Sequence, residues 1–78
     1  MVKITKQEWD NKVLINNSSS YSLVVVLGVL MLWEDKITTR EEAEKKLQEL
    51  ELGLSGFQAE SILHIFEEYE LPDWIDKD

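Results

Sequence analysis

A single serine interrupts the thirteen positions from Tyr21 to Trp33, YSLVVVLGVLMLW, which otherwise carry no polar side chain. Val24, Val25, Val26 and Val29 favour an extended chain, because β-branched side chains lose rotamer freedom in a helix. Length favours a helix: thirteen residues are long for one strand and ordinary for a helix, and Glu34, Asp35 and Lys36 follow without a turn signal. The pattern therefore predicts a helix over about 20–35. At about 100° per residue, Leu23, Leu27 and Leu30 share one face, and Val25, Gly28 and Leu32 share another. Apolar on all sides, such a helix is expected to be buried on all sides.

Either side of this run the pattern becomes amphipathic and the helix ends are marked. Thr5 and Glu8 stand at capping-box spacing, so a first helix is expected to start at Lys6, with Trp9 and Val13 on its inner side. The stretch from Lys12 to Asn16 fits a helix or an extended segment equally poorly, and both readings stand at this point. Asn16 to Ser20 form a polar turn whose serines can cap the central helix. Thr38 with Glu41, or Thr39 with Glu42, marks the start of a helix at about 39–52. Its seam is Ala43, Leu47, Leu50 and Leu54, and Glu41–Lys45 and Glu42–Lys46 are candidate i,i+4 ion pairs. Gly53 is the expected left-handed stop. Ser55 and Gln58 open a last helix at about 56–69, with Ala59, Ile62, Leu63, Phe66 and Tyr69 facing inward. Pro72 separates it from the tail. The fold class read from these elements is all-α: a small bundle of three to four helices around the central apolar one. Residues 1–78 form a single domain, with 70–78 a short acidic C-terminal tail.

Composition narrows the function classes. A chain of 78 residues buries about 60–65% of its unfolded surface, so its core is small. With no cysteine and a single histidine there are no disulfides, Cys-based zinc sites or His-rich metal sites. The cysteine content agrees with a cytoplasmic setting. A membrane-spanning helix needs about 20 apolar residues, so a core helix is the expected reading of the 21–33 run and no membrane partner is expected; Tyr21 and Trp33 bracket it as interfacial anchors would, which leaves a small membrane-associated protein as a third reading. The run also lies too far along the chain, without a small-residue cleavage site, for a signal peptide. Charge is uneven: residues 1–40 carry a net +1 and residues 41–78 a net −9, with twelve acidic side chains against three basic ones. Nucleic-acid backbones are repelled by such a surface, and basic proteins are attracted to it.

The candidate chemistry is sparse. The ITTREE segment has the outline of a calcium-loop exit, but placing Ile37 at loop position 8 puts Leu30 and Leu32 where carboxylates are required. A helix-turn-helix reader of DNA needs a basic recognition helix, and both candidates here are acidic. No nucleophile, base and orienter occur at usable spacing, so no enzyme activity, cofactor or metal is expected. His64 has Glu60 and Glu68 one turn to either side, and the expected reading is a solvated histidine on an acidic face. Phe57 lies near that face. The segment EEYELPDWIDKD sets aromatic groups among carboxylates, as suits docking on a basic groove; the alternative is a C-terminal tail that folds back to cap the core, and the two readings are compatible. The candidate partner-binding set is therefore Phe57, Glu60, His64, Glu67, Glu68, Glu70, Asp73 and Trp74. The candidate oligomer interface is Val25, Gly28 and Leu32, where the glycine permits a close backbone crossing.

The stretch LGVLMLWEDKITTREEAEKKL resembles small acidic proteins of Gram-positive bacteria and their phages whose function is not known. In size and charge the chain is also similar to the immunity proteins that inhibit bacteriocin-type nucleases, without their Tyr-Tyr-Pro segment, and no functional residue is carried over. The expected function is that of a non-catalytic acidic inhibitor of immunity, antitoxin or phage counter-defence type. Its partner would be a basic protein, including a nucleic-acid-binding one, and it would make no direct contact with nucleic acid. The alternative is a structural or regulatory homo-oligomer, a homodimer in the simplest case, assembled through the central helix.

Overall fold

The computed structural model describes residues 2–76 and is all-α, with α2 (Ser20–Glu34) at its centre. Two further helices, α3 (Arg40–Leu50) and α4 (Gly56–Glu68), pack with it, and 3-10 turn Asp73–Asp76 closes the tail. Residues 77 and 78 of the predicted tail lie outside the described residues.

The N-terminal segment is helical, which settles the ambiguity over residues 12–16. It opens as α1 (Lys6–Glu8), held by a reciprocal capping box in which Thr5 Oγ1 accepts the Glu8 N–H and Glu8 Oε1 accepts the Thr5 N–H. It continues as a π-helix, Trp9–Leu14, in which the Ile15 N–H reaches back to the Asp10 carbonyl, and as a 3-10 turn, Ile15–Asn17. This widened turn buries Trp9 and Val13 and turns Ile15 to solvent. Changing helical period within ten residues is why the sequence matched neither regular template. The amides of Asn16 and Asn17 donate to the Lys12 and Val13 carbonyls at 2.6 and 2.7 Å, occupying acceptors that the helix end would leave open.

Glu8 is held below the usual carboxylate range, first by the backbone and side-chain hydrogen bonds from Thr5 and then by Lys12. A carboxylate whose pKa is lowered on folding stabilises the fold above its unfolded value and loses that contribution as pH falls through the lowered one. Glu8→Gln should therefore unfold more readily than the parent at neutral pH. The gap between their thermal midpoints should close as titration proceeds below about pH 4.

Serine and threonine caps hold the other helix starts: Ser19 accepts the Ser22 N–H, Thr39 the Glu42 N–H and Ser55 the Gln58 N–H. Of the two capping pairs that fitted α3, Thr39 with Glu42 is the one used. The helix ends are less conventional. At the end of α2, the Lys36 N–H bonds to the Trp33 carbonyl and the Ile37 N–H to that of Leu32, at 3.0 and 3.1 Å. This is a Schellman arrangement with a lysine at φ 59° where glycine is usual. The stop of α3 is likewise Glu51, at φ 49° and ψ 45°, two residues before the expected Gly53. Gly53 provides a second left-handed residue, at φ 66°, within the same turn. The expected ion pairs of α3 are also replaced: Lys46 bonds to Asp35 at 2.6 Å, which raises its pKa, and Arg40 bonds to Glu44 at 2.9 Å. These pairs tie α3 to the α2 exit and to its own first turn.

The left-handed residues give a direct test. A non-glycine residue there costs about 1–2 kcal/mol, partly offset by the greater unfolded-state freedom of glycine. Glu51→Gly should thus raise stability by about 0.5–1 kcal/mol. Gly53→Ala should lower it by a similar amount, although the added Cβ meets nothing within 4 Å. Thermal melts of the two variants should move in opposite directions.

The core comprises Ile4, Trp9, Val13, Val25, Val26, Val29, Leu32, Trp33, Ala43, Leu47, Ile62, Leu63 and Phe66. Two features organise it. Gly28 lets α4 approach α2 so closely that a Cβ at this position would lie 2.5 Å from Ile62 Cδ1. At the other end of α2 the three tryptophans form one cluster. Ring centroids are 5.0 Å apart for Trp9–Trp33, 6.1 Å for Trp9–Trp74 and 6.0 Å for Trp33–Trp74, the last pair edge to face. Trp74 reaches the cluster because the tail folds back along the N-terminal segment. The Glu70 N–H donates to the Val2 carbonyl at 3.0 Å, the Trp74 indole N–H donates to the Ile4 carbonyl at 2.9 Å, and Lys3 pairs with Asp73 at 3.0 Å.

The expectation that α2 is buried on every side is corrected by this packing. Val25, Gly28 and Leu32, the expected oligomer interface, are buried in the chain's own core, with Gly28 against Ile62. The opposite face is the open one, and Leu27 keeps 57% of its surface exposed. No helix among the described residues is long and apolar enough to cross a membrane.

Candidate functional site

The outer face of α4 follows from the positions that the core takes. Gln58, Ile62, Leu63 and Phe66 are buried, so at about 100° per residue Phe57, Glu60, His64, Glu67 and Glu68 project from the opposite side. All five are exposed, and Phe57 most of all at 76%. The structure therefore brings together five of the eight residues of the candidate set on one helix face. Gln58, which the sequence marked only as a cap, fixes the start of that face. Its amide nitrogen donates to the Tyr21 carbonyl at 3.0 Å while its oxygen accepts the Ser55 N–H, so this buried side chain is hydrogen-bonded at both ends. Tyr21 and Ser55 hydroxyls meet at 2.9 Å beside it. These bonds hold the beginnings of α2 and α4 together, and between them runs a groove of about 530 Å³ lined by residues including Asn17, Tyr21, Phe57, Ser61, His64 and Ile65.

The remaining three candidates lie elsewhere. Glu70 is exposed just past α4, beside the tail's backbone bond to Val2. Asp73 is paired with Lys3. Trp74 is a lid on the tryptophan cluster, its indole N–H committed to Ile4, so the aromatic group expected as a docking anchor is a packing residue. Its partial burial follows from the tail lying against the N-terminal segment from Tyr69 onward, which sequence periodicity does not describe.

Arg40 sets the electrostatics of this face. From the start of α3 its guanidinium bonds to Glu44 at 2.9 Å, to Glu60 at 3.1 Å and to Glu67. The hydrogen bonds to Glu44 and Glu67 raise its pKa further, so it is a fixed positive charge. Two α4 carboxylates are thereby partly neutralised and held in place. Glu68 makes no ion pair among the described residues, and with His64 and Phe57 it forms a stripe along the helix. His64, Glu60 and Glu68 do not converge, and the described residues contain no group of three or more acidic or histidine side chains placed to hold a metal ion. The arrangement offers an aromatic side chain at the start of the helix face, with Glu60 one turn on and Glu67 and Glu68 at its far end, which is suited to contact with a complementary surface.

Comparison with protein-family models, with curated proteins and with solved structures gave no match.

Proposed function

We propose that this chain is a non-catalytic protein-binding module whose α4 face docks on a basic protein surface, as an inhibitor of immunity, antitoxin or phage counter-defence type. The observation that carries the reading is Phe57, an aromatic side chain left 76% exposed on a helix face with Glu60, Glu67 and Glu68. A large exposed ring supplies contact area at small entropic cost, while the carboxylates along the same helix face accelerate the encounter with a positively charged partner. The net −9 of residues 41–78 extends the same attraction over the surface around α4. A partner that binds nucleic acid would present such a basic patch, and occupation by α4 would block it. A cytoplasmic setting fits a chain without cysteine.

The test is capture from the source cell's lysate at low and high salt, followed by kinetics with the purified partner. The expected partner is basic and its association slows as salt rises. Phe57→Ala should speed dissociation, Glu68→Lys should slow association, and Arg40→Gln should accelerate association by freeing Glu60 and Glu67. A partner whose binding ignores both salt and Phe57→Ala would refute the proposal.

A further inference from the structure

We infer that the outer face of α2 is the contact between two copies of this chain, crossed antiparallel about Leu27. The inference is independent of the α4 reading and concerns the other side of the bundle, since α4 packs on α2 through Gly28 and Ile62.

The face is defined by exposure. Ser20, Leu27 and Glu34 are exposed, while Leu23, Val24, Leu30 and Met31 are half-buried around them. Ser20, Leu23, Leu27, Leu30 and Glu34 follow one another at intervals of three, four, three and four residues, the spacing at which a helix presents one seam to another helix. From Ser20 to Trp33 the helix has no ionisable side chain except the Tyr21 phenol. Steering by charge therefore gains nothing here, and a basic partner would find its complement on α4 instead. Two copies, each carrying a net −8, repel each other, and a face across the core from the acidic one, with Glu34 at its end as its one charge, is where their approach costs least.

The sequence of the face is self-complementary about Leu27. A two-fold axis there sets Leu27 against its own equivalent, Leu23 against Met31, Val24 against Leu30, and Ser20 against Glu34. The last pairing resolves two features that are unfavourable in the single chain. Glu34 lies at the C-terminal end of α2, where the helix dipole disfavours negative charge, and the last turn holds no basic residue. The first turn of α2 holds no acidic residue for its positive end. An antiparallel crossing places Glu34 of each copy beside the first turn of the other. A single helix face is at the small end of specific interfaces, about 1,000 Å² in total, so association in the range of about 10–100 µM is expected.

The absence of cysteine gives a clean background for cross-linking. Leu27→Cys should form a disulfide-linked dimer under mild oxidation, at least about tenfold faster than Phe57→Cys, although Phe57 is more exposed. Ser20→Cys should not link to itself, whereas Ser20→Cys combined with Glu34→Cys should. In sedimentation the parent chain should pass from monomer to dimer with rising concentration. Leu27→Asp should remain monomeric with its circular dichroism unchanged, and the milder Leu27→Ala should weaken association about tenfold. A parent chain monomeric up to about 500 µM would overturn the inference. So would equal cross-linking through Leu27→Cys and Phe57→Cys, or rapid self-linking of Ser20→Cys. A monomer that instead binds phosphatidylcholine vesicles, and loses them on Leu27→Asp, would assign the face to lipid and overturn it as well.

Discussion

Trp74→Ala should lower the unfolding free energy by about 3 kcal/mol, because most of a partly buried tryptophan is lost from the edge of the core together with its hydrogen bond. The ring packs on both Trp9 and Trp33, and its N–H satisfies the Ile4 carbonyl, so truncation opens a space and frees an acceptor. Without the ring, the tail is held by the packing of Leu71 and Ile75 on the core, the Glu70–Val2 backbone bond and the exposed Lys3–Asp73 pair. A domain of this length has a total stability of about 4–12 kcal/mol, so the loss is a large fraction of it. The thermal midpoint, followed by tryptophan fluorescence, should fall by about 15 °C. Kinetics with a partner bound at α4 should be unaffected at temperatures where the variant is folded. An unchanged midpoint would show that the tail does not close the core.

Gly28→Ala should destabilise the fold by about 1–2 kcal/mol, although alanine favours helix over glycine by about 1 kcal/mol. The new methyl would meet Ile62 Cδ1 at 2.5 Å and Cγ1 at 3.1 Å, and Ile62 is fully buried, with no free direction in which to swing. Removing that Cδ1 should relieve the conflict. Ile62→Val alone costs about 1 kcal/mol by leaving a small void, whereas in Gly28→Ala the void is already filled. The double variant should therefore lie close to the parent, with a coupling of about 2–3 kcal/mol in a double-mutant cycle measured by chemical denaturation. Additive losses would mean that α2 and α4 do not cross at this pair.

Local chemistry made most of the fold readable from the chain. Each helix start needs a side-chain oxygen for an otherwise unpaired N–H, and Thr5, Ser19, Thr39 and Ser55 stand where the cap is used. The inward stripes of α3 and α4 were legible for the same reason, because their period is set by helix geometry alone. Five members of the candidate docking set likewise lie on one face because positions 57, 60, 64, 67 and 68 of any straight helix do so.

Where two parts of the chain must meet, the local pattern gave less. A helix apolar on every side has no polar side to point outward, so the sequence determined that α2 would be central but not which face would be open. Packing decided that: Gly28 accepts Ile62, which buries Val25 and Leu32 and leaves Leu27 outside. The left-handed stops at Lys36 and Glu51 also lack their usual glycine signal, since both positions carry residues that disfavour this backbone. Trp74 is open in the sequence between docking anchor and core lid, and its contacts with Ile4, Trp9 and Trp33 make it a lid. Caps and periods are properties of neighbouring residues and are written in the sequence. The partner of an apolar face depends on contacts between residues as far apart as Ile4 and Trp74, and these exist only once the chain has folded.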